Sequence, residues 1–367
     1  MRRFITVLLL LAVVGVIAAY AVQRYARLSE PFKGYAGAEQ FVDVPSGTGP
    51  QAIGRLLVEQ GVVSDALTWR VALWQSGEAS RLKAGEYRFD HGMTVREVVR
   101  KLAHGEVYLR SVTFPEGLTI RQMARLYEGA GLGPASTFLE AAKEVDLVAL
   151  LDPAANDLEG YLFPDTYALP RRANAADLIH KMVARFEKVF SPARREAALA
   201  AGLSPREAVI LASIVEKETA RSDERPLVAA VYQNRLRAGM GLQCDPTVIY
   251  ALDRVGRYTG NLTHADLSFD SPYNTYRYAG LPPGPIASPG RASLDAAVRP
   301  APVDYMYFVS RNDGSHAFAS TLDEHNRNVR KYQVDFFRDQ RARDQAAGGG
   351  TPPRKSPTQP PRPIGRR

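Results

Sequence analysis

From Phe4 to Val22 the chain carries a nearly unbroken apolar run of 19 residues, and that run governs where everything after it can fold. A stretch of this length crosses the ~30 Å hydrocarbon core of a bilayer as a helix, because lipid offers no partner to an unpaired backbone group. Arg2 and Arg3 precede the run, so the positive-inside rule keeps the amino terminus cytoplasmic and sends the body across. Arg24 and Arg27 follow it and weaken that bias. Ala19-Tyr20-Ala21 has the small-x-small form of a cleavage site, so a removed signal peptide is the alternative to a retained anchor. The run is longer than the core of about 7 to 15 residues that such signals use. Both readings put the body outside the cytoplasm.

With 367 residues, 45% hydrophobic and 23% charged, the chain is long and apolar enough for two or three folded domains. Cys244 is its single cysteine, so no intrachain disulfide can form and packing alone must hold the body. The six histidines are scattered, no HExxH or paired CxxC occurs, and His316 with His325 makes only a weak metal pair. Neither a metal nor another cofactor is indicated. The net charge of +8 sits partly at the ends, where residues 351–367 hold six prolines and five basic residues without an acid. That tail is expected to be solvated and disordered. The excess left in the body suits an anionic surface or polymer, and no nucleic-acid motif accompanies it.

Laying Pro45-Ser46-Gly47 on Pro115-Glu116-Gly117 reveals an internal repeat with a shift of 70 residues. Ile53, Arg55, Leu56 and Gly61 then fall on Met123, Arg125, Leu126 and Gly131, and Gly92-Met93-Thr94-Val95-Arg96 echoes Gly117-Leu118-Thr119-Ile120-Arg121. Each copy reads as a strand, a glycine turn and an amphipathic helix. Units of this form serve as carbohydrate-binding modules and equally as plain structural elements.

The segment Leu211 to Thr219 reads LASIVEKET, within a helix that is well specified at its start. Ser204 is the N-cap, Pro205 suits the first helical position, and Glu207 stands in capping-box spacing. At about 100° per residue, Glu216 lies within about 40° of Ala212 and about 20° of Val209, while Glu218 is turned about 200° away. Glu216 is therefore expected to face apolar neighbours. There a carboxyl loses hydration of its charged form and favours the protonated form that a general acid needs near neutral pH. A glutamate that snorkels to water or pairs with an arginine fits the segment as well, and structural ion pairs are common.

Downstream, residues 152–170 read as a loop-rich wall with aromatics, 175–200 as helix, and Arg225–Met240 as a further helix. Gln243 and the run Tyr273-Asn274-Thr275-Tyr276 lie in long irregular segments, of a length compact domains rarely carry unless they line a site. Tyr305–Val309 is expected as a buried strand, followed by a turn at Asn312-Asp313-Gly314. Aromatic faces suit the C–H patches of a sugar ring and amides its hydroxyls, so Gln243, Tyr273 and Asn274 are the candidate substrate contacts. The same side chains could simply pack their loops. A glycosidase normally needs two carboxylates. Glu218 points away from Glu216, and the sequence does not bring Asp245, Asp165 or Glu159 to it. A single-carboxylate mechanism, in which Glu216 serves as acid and then as base, is consistent with this pattern.

Taken together, LEGYLFPDTY at 158–167, ASIVEKE at 212–218, NRL at 234–236, GMGLQCDPTVIYAL at 239–252, SPYNTYRYAGLPPGPIASPG at 271–290 and HAFASTLDEHN at 316–326 resemble the endolytic murein transglycosylases, the YceG-like or MltG family. The resemblance covers roughly residues 40–335. It implies an α+β protein in four parts: a cytoplasmic terminus and transmembrane anchor at 1–23, a LysM-like strand and helix module at 40–110, a mixed α/β catalytic domain at 111–338, and a disordered Pro/Arg-rich tail at 339–367. By the same resemblance the chain is an inner-membrane, single-pass lyase with its catalytic domain periplasmic. It would cleave the MurNAc–GlcNAc bond of nascent peptidoglycan glycan strands to leave 1,6-anhydroMurNAc ends, and so terminate chain elongation. Glu216 falls on the family's catalytic glutamate, Glu218 is left a supporting role, and penicillin-binding synthases are the implied partners. A hydrolytic muramidase and a non-catalytic peptidoglycan-binding scaffold are the alternatives.

Overall fold

The computed structural model describes residues 2–346. Its described residues divide into two compact units, 2–111 with 168–172, and 112–167 with 173–346. Most of the proline-rich tail, including 351–367, lies outside the described residues.

The first unit begins with α1 (Arg2–Arg27), whose Leu9–Arg27 portion is long and apolar enough to cross a membrane; a signal sequence has the same properties. Then follow β1 (Gln40–Val44), α2 (Pro50–Glu59), α3 (Ala66–Ser76), β2 (Gly85–Phe89) and α4 (Val95–His104). β1 and β2 pair antiparallel with Val42 opposite Tyr87, and their alternating side chains close over α2, α3 and α4. Trp69 of α3 is the largest piece of this core. Its indole donates to the Pro50 carbonyl at 2.9 Å, and its ring lies against Gly54 of α2, where any Cβ would meet it at 2.2 Å. α4 opens with a complete capping box between Thr94 and Glu97.

The second unit contains half of β3 (Arg110–Thr113) and half of β4 (Thr166–Leu169), the boundary falling within both strands. Its helices are α5 (Ile120–Gly129), α6 (Ala135–Ala141), α7 (Ala175–Val189), α8 (Pro192–Ala200), α9 (Pro205–Glu218), α10 (Arg225–Arg237), α11 (Asp245–Arg254) and α12 (Arg291–Val298). The hairpin β5 (Tyr307–Ser310) and β6 (His316–Ala319) turns at Asn312 and Gly314, both at positive φ, and leads into α13 (Leu322–Val329) and α14 (Phe336–Ala346). Helices dominate, and the strands occur only as pairs among the described residues. α9 is the axis of the unit: every residue from Ala208 to Val215 is buried, and α8, α10, α11 and α12 pack around it.

The internal repeat is structural. Gly47 and Gly117 turn at φ 81° and 76°, after β1 and β3 respectively, and α2 and α5 follow. Ile53 and Met123 are both buried, Leu56 and Leu126 both half-buried, Arg55 and Arg125 both exposed. Three expectations change. Residues 158–163 are core, with Leu158, Tyr161 and Leu162 fully buried, because the aromatics of that stretch fold inward beneath its turns. β5 starts at Tyr307, and only Val309 in it is buried, since a two-stranded ribbon leaves its edges open. Residues 339–346, taken as the start of the disordered tail, continue α14.

Candidate active site

The frame of the site is α9. Its start is fixed as the sequence predicts: Ser204 accepts from the Glu207 backbone N–H, Glu207 caps back, and Pro205 occupies the first turn. Glu216 lies near the other end with its side chain only 5% exposed. Of the surroundings open from the sequence, apolar neighbours or an arginine partner, the structure shows the arginine. Arg225 Nη2, at the start of α10, donates to Glu216 Oε1 at 2.8 Å, and the Gly290 backbone N–H donates to Oε2 at 2.9 Å. Helix phase places a Cα; it cannot show that the next helix begins with a buried arginine.

The same guanidinium nitrogen lies 3.6 Å from Glu116 Oε2. Glu116 belongs to the Pro-Glu-Gly turn of the second repeat copy and reaches this point because Gly290 has no side chain. A Cβ at Gly290 would lie 1.8 Å from Glu116 Oε1. Gly117 N–H donates to the Ser288 carbonyl and Ser288 N–H to that of Leu118, both at 2.9 Å, while Lys217 Nζ donates to the Gly117 carbonyl at 3.0 Å. Ile286 N–H bonds Ser213 Oγ one turn before Glu216. The 115–118 turn and the 286–290 segment are thus sewn to each other and to α9. Partial burial and the neighbouring Glu216 charge hold the Glu116 carboxyl above its ordinary range, against the pull of Arg225. Arg225 Nε is buried without a hydrogen-bond partner among the described residues. The arrangement is two carboxylates on one guanidinium, with Glu216 almost enclosed and Glu116 nearly half exposed.

Glu218 points away from Glu216. It lies in a second buried polar cluster, where Cys244 Sγ donates to its Oε2 at 3.3 Å, and burial, with Asp245 nearby, raises its carboxyl. α9 is buried nearly all round, so a 200° turn separates two interior pockets instead of inside from outside. The Glu218 contact pins the turn that carries Gln243. Gln243 itself is exposed at φ 50°, a left-handed conformation unusual for a side-chain-bearing residue, between buried Leu242 and Cys244. Tyr273 is half-buried, its ring tilted at 57° against that of Tyr250 with centroids 5.0 Å apart, and its hydroxyl accepts from Arg254 at 3.1 Å. With Glu159, Arg206 and Pro283 it lines a water-sized cavity of about 20 Å³. Asn274 is fully buried. Its amide donates to the Leu267 and Phe269 carbonyls and its oxygen accepts from Tyr276 N–H, so it braces its own loop.

Among the described residues, no hydrogen bond joins Gln243, Tyr273 or Asn274 to Glu216. The other acids weighed from the sequence have their own partners: Asp165 on Arg185, Asp245 on the Tyr276 hydroxyl, and Glu159 under the Ile120 N–H and the Tyr250 hydroxyl. His316 bonds Glu224 and His325 stacks on Tyr307. Sequence reasoning missed Glu116, Arg225 and Gly290. Glu116 left one trace, since it is the carboxylate that replaces Ser46 between two otherwise matched repeat turns.

The sequence profile of the YceG-like family matches residues 42–331. This chain belongs to the YceG-like family. The YceG-like match takes in Glu116, Glu216, Arg225 and Gly290 and leaves α1 outside. A Bacillus subtilis protein named endolytic murein transglycosylase is 30% identical over 320 residues, covering 83% of this chain and 88% of its own. A Streptococcus pneumoniae protein of the same name is 31% identical over 324 residues, covering 79% of this chain and 58% of its own. A solved YceG-like structure from Listeria monocytogenes is 30% identical, with a TM-score of 0.53 over 80% of this chain and 99% of that one.

Proposed function

We propose that this YceG-like protein is an endolytic peptidoglycan lytic transglycosylase with Glu216 as its acid and base. The observation that carries the reading is the Glu216 carboxyl, nearly enclosed and fixed through both oxygens by Arg225 and the Gly290 N–H. The names of the relatives support the substrate. In the first step Glu216 gives its proton to the glycosidic oxygen as the MurNAc C1–O bond breaks, and the GlcNAc end leaves as an alcohol. The Glu216 carboxylate then takes the proton of the MurNAc C6 hydroxyl as O6 bonds C1, which closes the 1,6-anhydro ring. Glu216 ends protonated, and no water is consumed. Gln243 and Tyr273 contact the strand, with Asn274 holding the Tyr273 loop in shape and Glu218 holding the Gln243 turn.

The first unit is LysM-like in this account. Support comes from its β1-α2-α3-β2 order with antiparallel pairing, and from an open cleft of about 650 Å³ lined by Gln51, Arg55, Arg70 and the exposed Trp74, side chains suited to a charged glycan. α1 anchors the chain in the inner membrane with the amino terminus cytoplasmic and the catalytic unit outside. Cleavage of nascent strands there would end their elongation, in company with penicillin-binding synthases.

The second carboxylate beside Glu216 gives specific weight to one rival, a hydrolytic muramidase, because hydrolysis uses an acid and a base. Mass spectrometry of products from uncrosslinked glycan strands decides between them. Anhydro ends are expected; reducing ends, heavier by one water, would assign the hydrolase, and strand binding without cleavage a scaffold.

A further inference from the structure

Glu216 as the structure holds it has the surroundings of an anion, with a guanidinium on one oxygen and a backbone N–H on the other. The acid step needs a proton on it. Something must offset Arg225, and Glu116 is placed to do so. Arg225 Nη2 reaches both carboxylates, at 2.8 Å and 3.6 Å, so its ion pair can pass from one to the other with little movement. Glu116 is 46% exposed where Glu216 is 5% exposed, which makes Glu116 the member open to water. The charged groups facing the pair among the described residues are Lys217 from α9, whose ammonium is taken by the Gly117 carbonyl, and Arg225 from α10; the segment entering α12 brings the Gly290 N–H, followed in the chain by the exposed Arg291.

We propose that Glu116 is a positioning residue that shares one proton with Glu216 across Arg225, keeping the pair singly protonated where a lone glutamate beside an arginine would be ionised. The inference rests on the reading of Glu216 as the acid. When the proton is on Glu116, Arg225 pairs with Glu216; when it moves through a bound water to Glu216, the ion pair moves to Glu116. One proton, two carboxylates and one guanidinium are conserved throughout. Two like charges on one cation resist joint ionisation, and their titration belongs to the pair.

The test is the pH–rate profile of anhydro-product release by the full-length protein in detergent, for wild type, Glu116→Gln and Glu116→Ser, the latter being the side chain of the first repeat copy. The alkaline limb is expected to move down by roughly one pH unit in both variants, with part of the lost rate recovered at lower pH. Carboxyl carbon NMR of glutamate-labelled protein should show a two-step titration at Glu216 in wild type that becomes single in both variants. A limb that stays in place in both variants, whatever the height of the profile, would overturn the proposal, as would a single-step titration in wild type. The NMR arm does not depend on turnover, so an active Glu216→Gln enzyme would remove the assignment of the acid while the sharing of the proton was still judged separately.

Discussion

Glu116 occupies the space that a side chain at Gly290 would need: a Cβ there would lie 1.8 Å from its carboxylate oxygen. Gly290 has φ −78°, so the constraint is one of room and not of backbone strain. Gly290→Ala should therefore cost little stability, about 1 kcal/mol, since the half-exposed Glu116 can swing outward. It should lower kcat about 100-fold by displacing Glu116 and the N–H that orients Glu216. Thermal melting beside turnover measures both, and full activity in the alanine variant would contradict the packing described.

Removing the shared cation has the opposite balance. Arg225→Met leaves Glu216 enclosed without its counter-charge and should destabilise the second unit by about 3 kcal/mol as well as reduce activity. Denaturant unfolding at neutral pH checks the figure.

Glu159 supplies a pH dependence of folding. Burial raises its carboxyl from 4.5 to about 8, so between those values the folded chain holds a proton that the unfolded chain has released. Its contribution to stability is complete below about 4.5 and declines as pH rises toward about 8. Glu159→Gln keeps an acceptor for the Ile120 N–H and cannot ionise. The variant should flatten the fall in melting temperature from pH 5 to pH 8, and an unchanged slope would mean that Glu159 is not the titrating group.

Gln243 and Asn274, proposed alike from the sequence, should separate on mutation. Gln243→Ala is expected to raise KM with melting nearly unchanged, since its side chain is exposed. Asn274→Ala should lower stability by about 2 kcal/mol, because its fully buried amide holds two carbonyls of its own loop.

These residues also show what can be read from a sequence of this kind. Local signals came through: the Ser204 capping box, the two glycine turns and helices of the repeat, and the different directions of Glu216 and Glu218. What eluded reading is long-range. Glu116 and Gly290 are 174 positions apart and meet only through the pairing of Gly117 and Leu118 with Ser288. Asn274 carries the side chain of a sugar ligand, and only its burial shows that its hydrogen bonds are spent internally. The positive φ of Gln243 leaves no mark in residue type. The phase of α9 was correct, yet only the packing on all its sides shows that the direction away from Glu216 leads to a second buried cluster at Cys244.

The central claim, that Glu216 performs the chemistry, is tested most directly by product release from defined uncrosslinked glycan strands with wild type and Glu216→Gln. The account predicts anhydro-ended fragments from wild type and none from the variant, with both proteins melting cooperatively. Anhydro ends released by Glu216→Gln at a rate near wild type would contradict it.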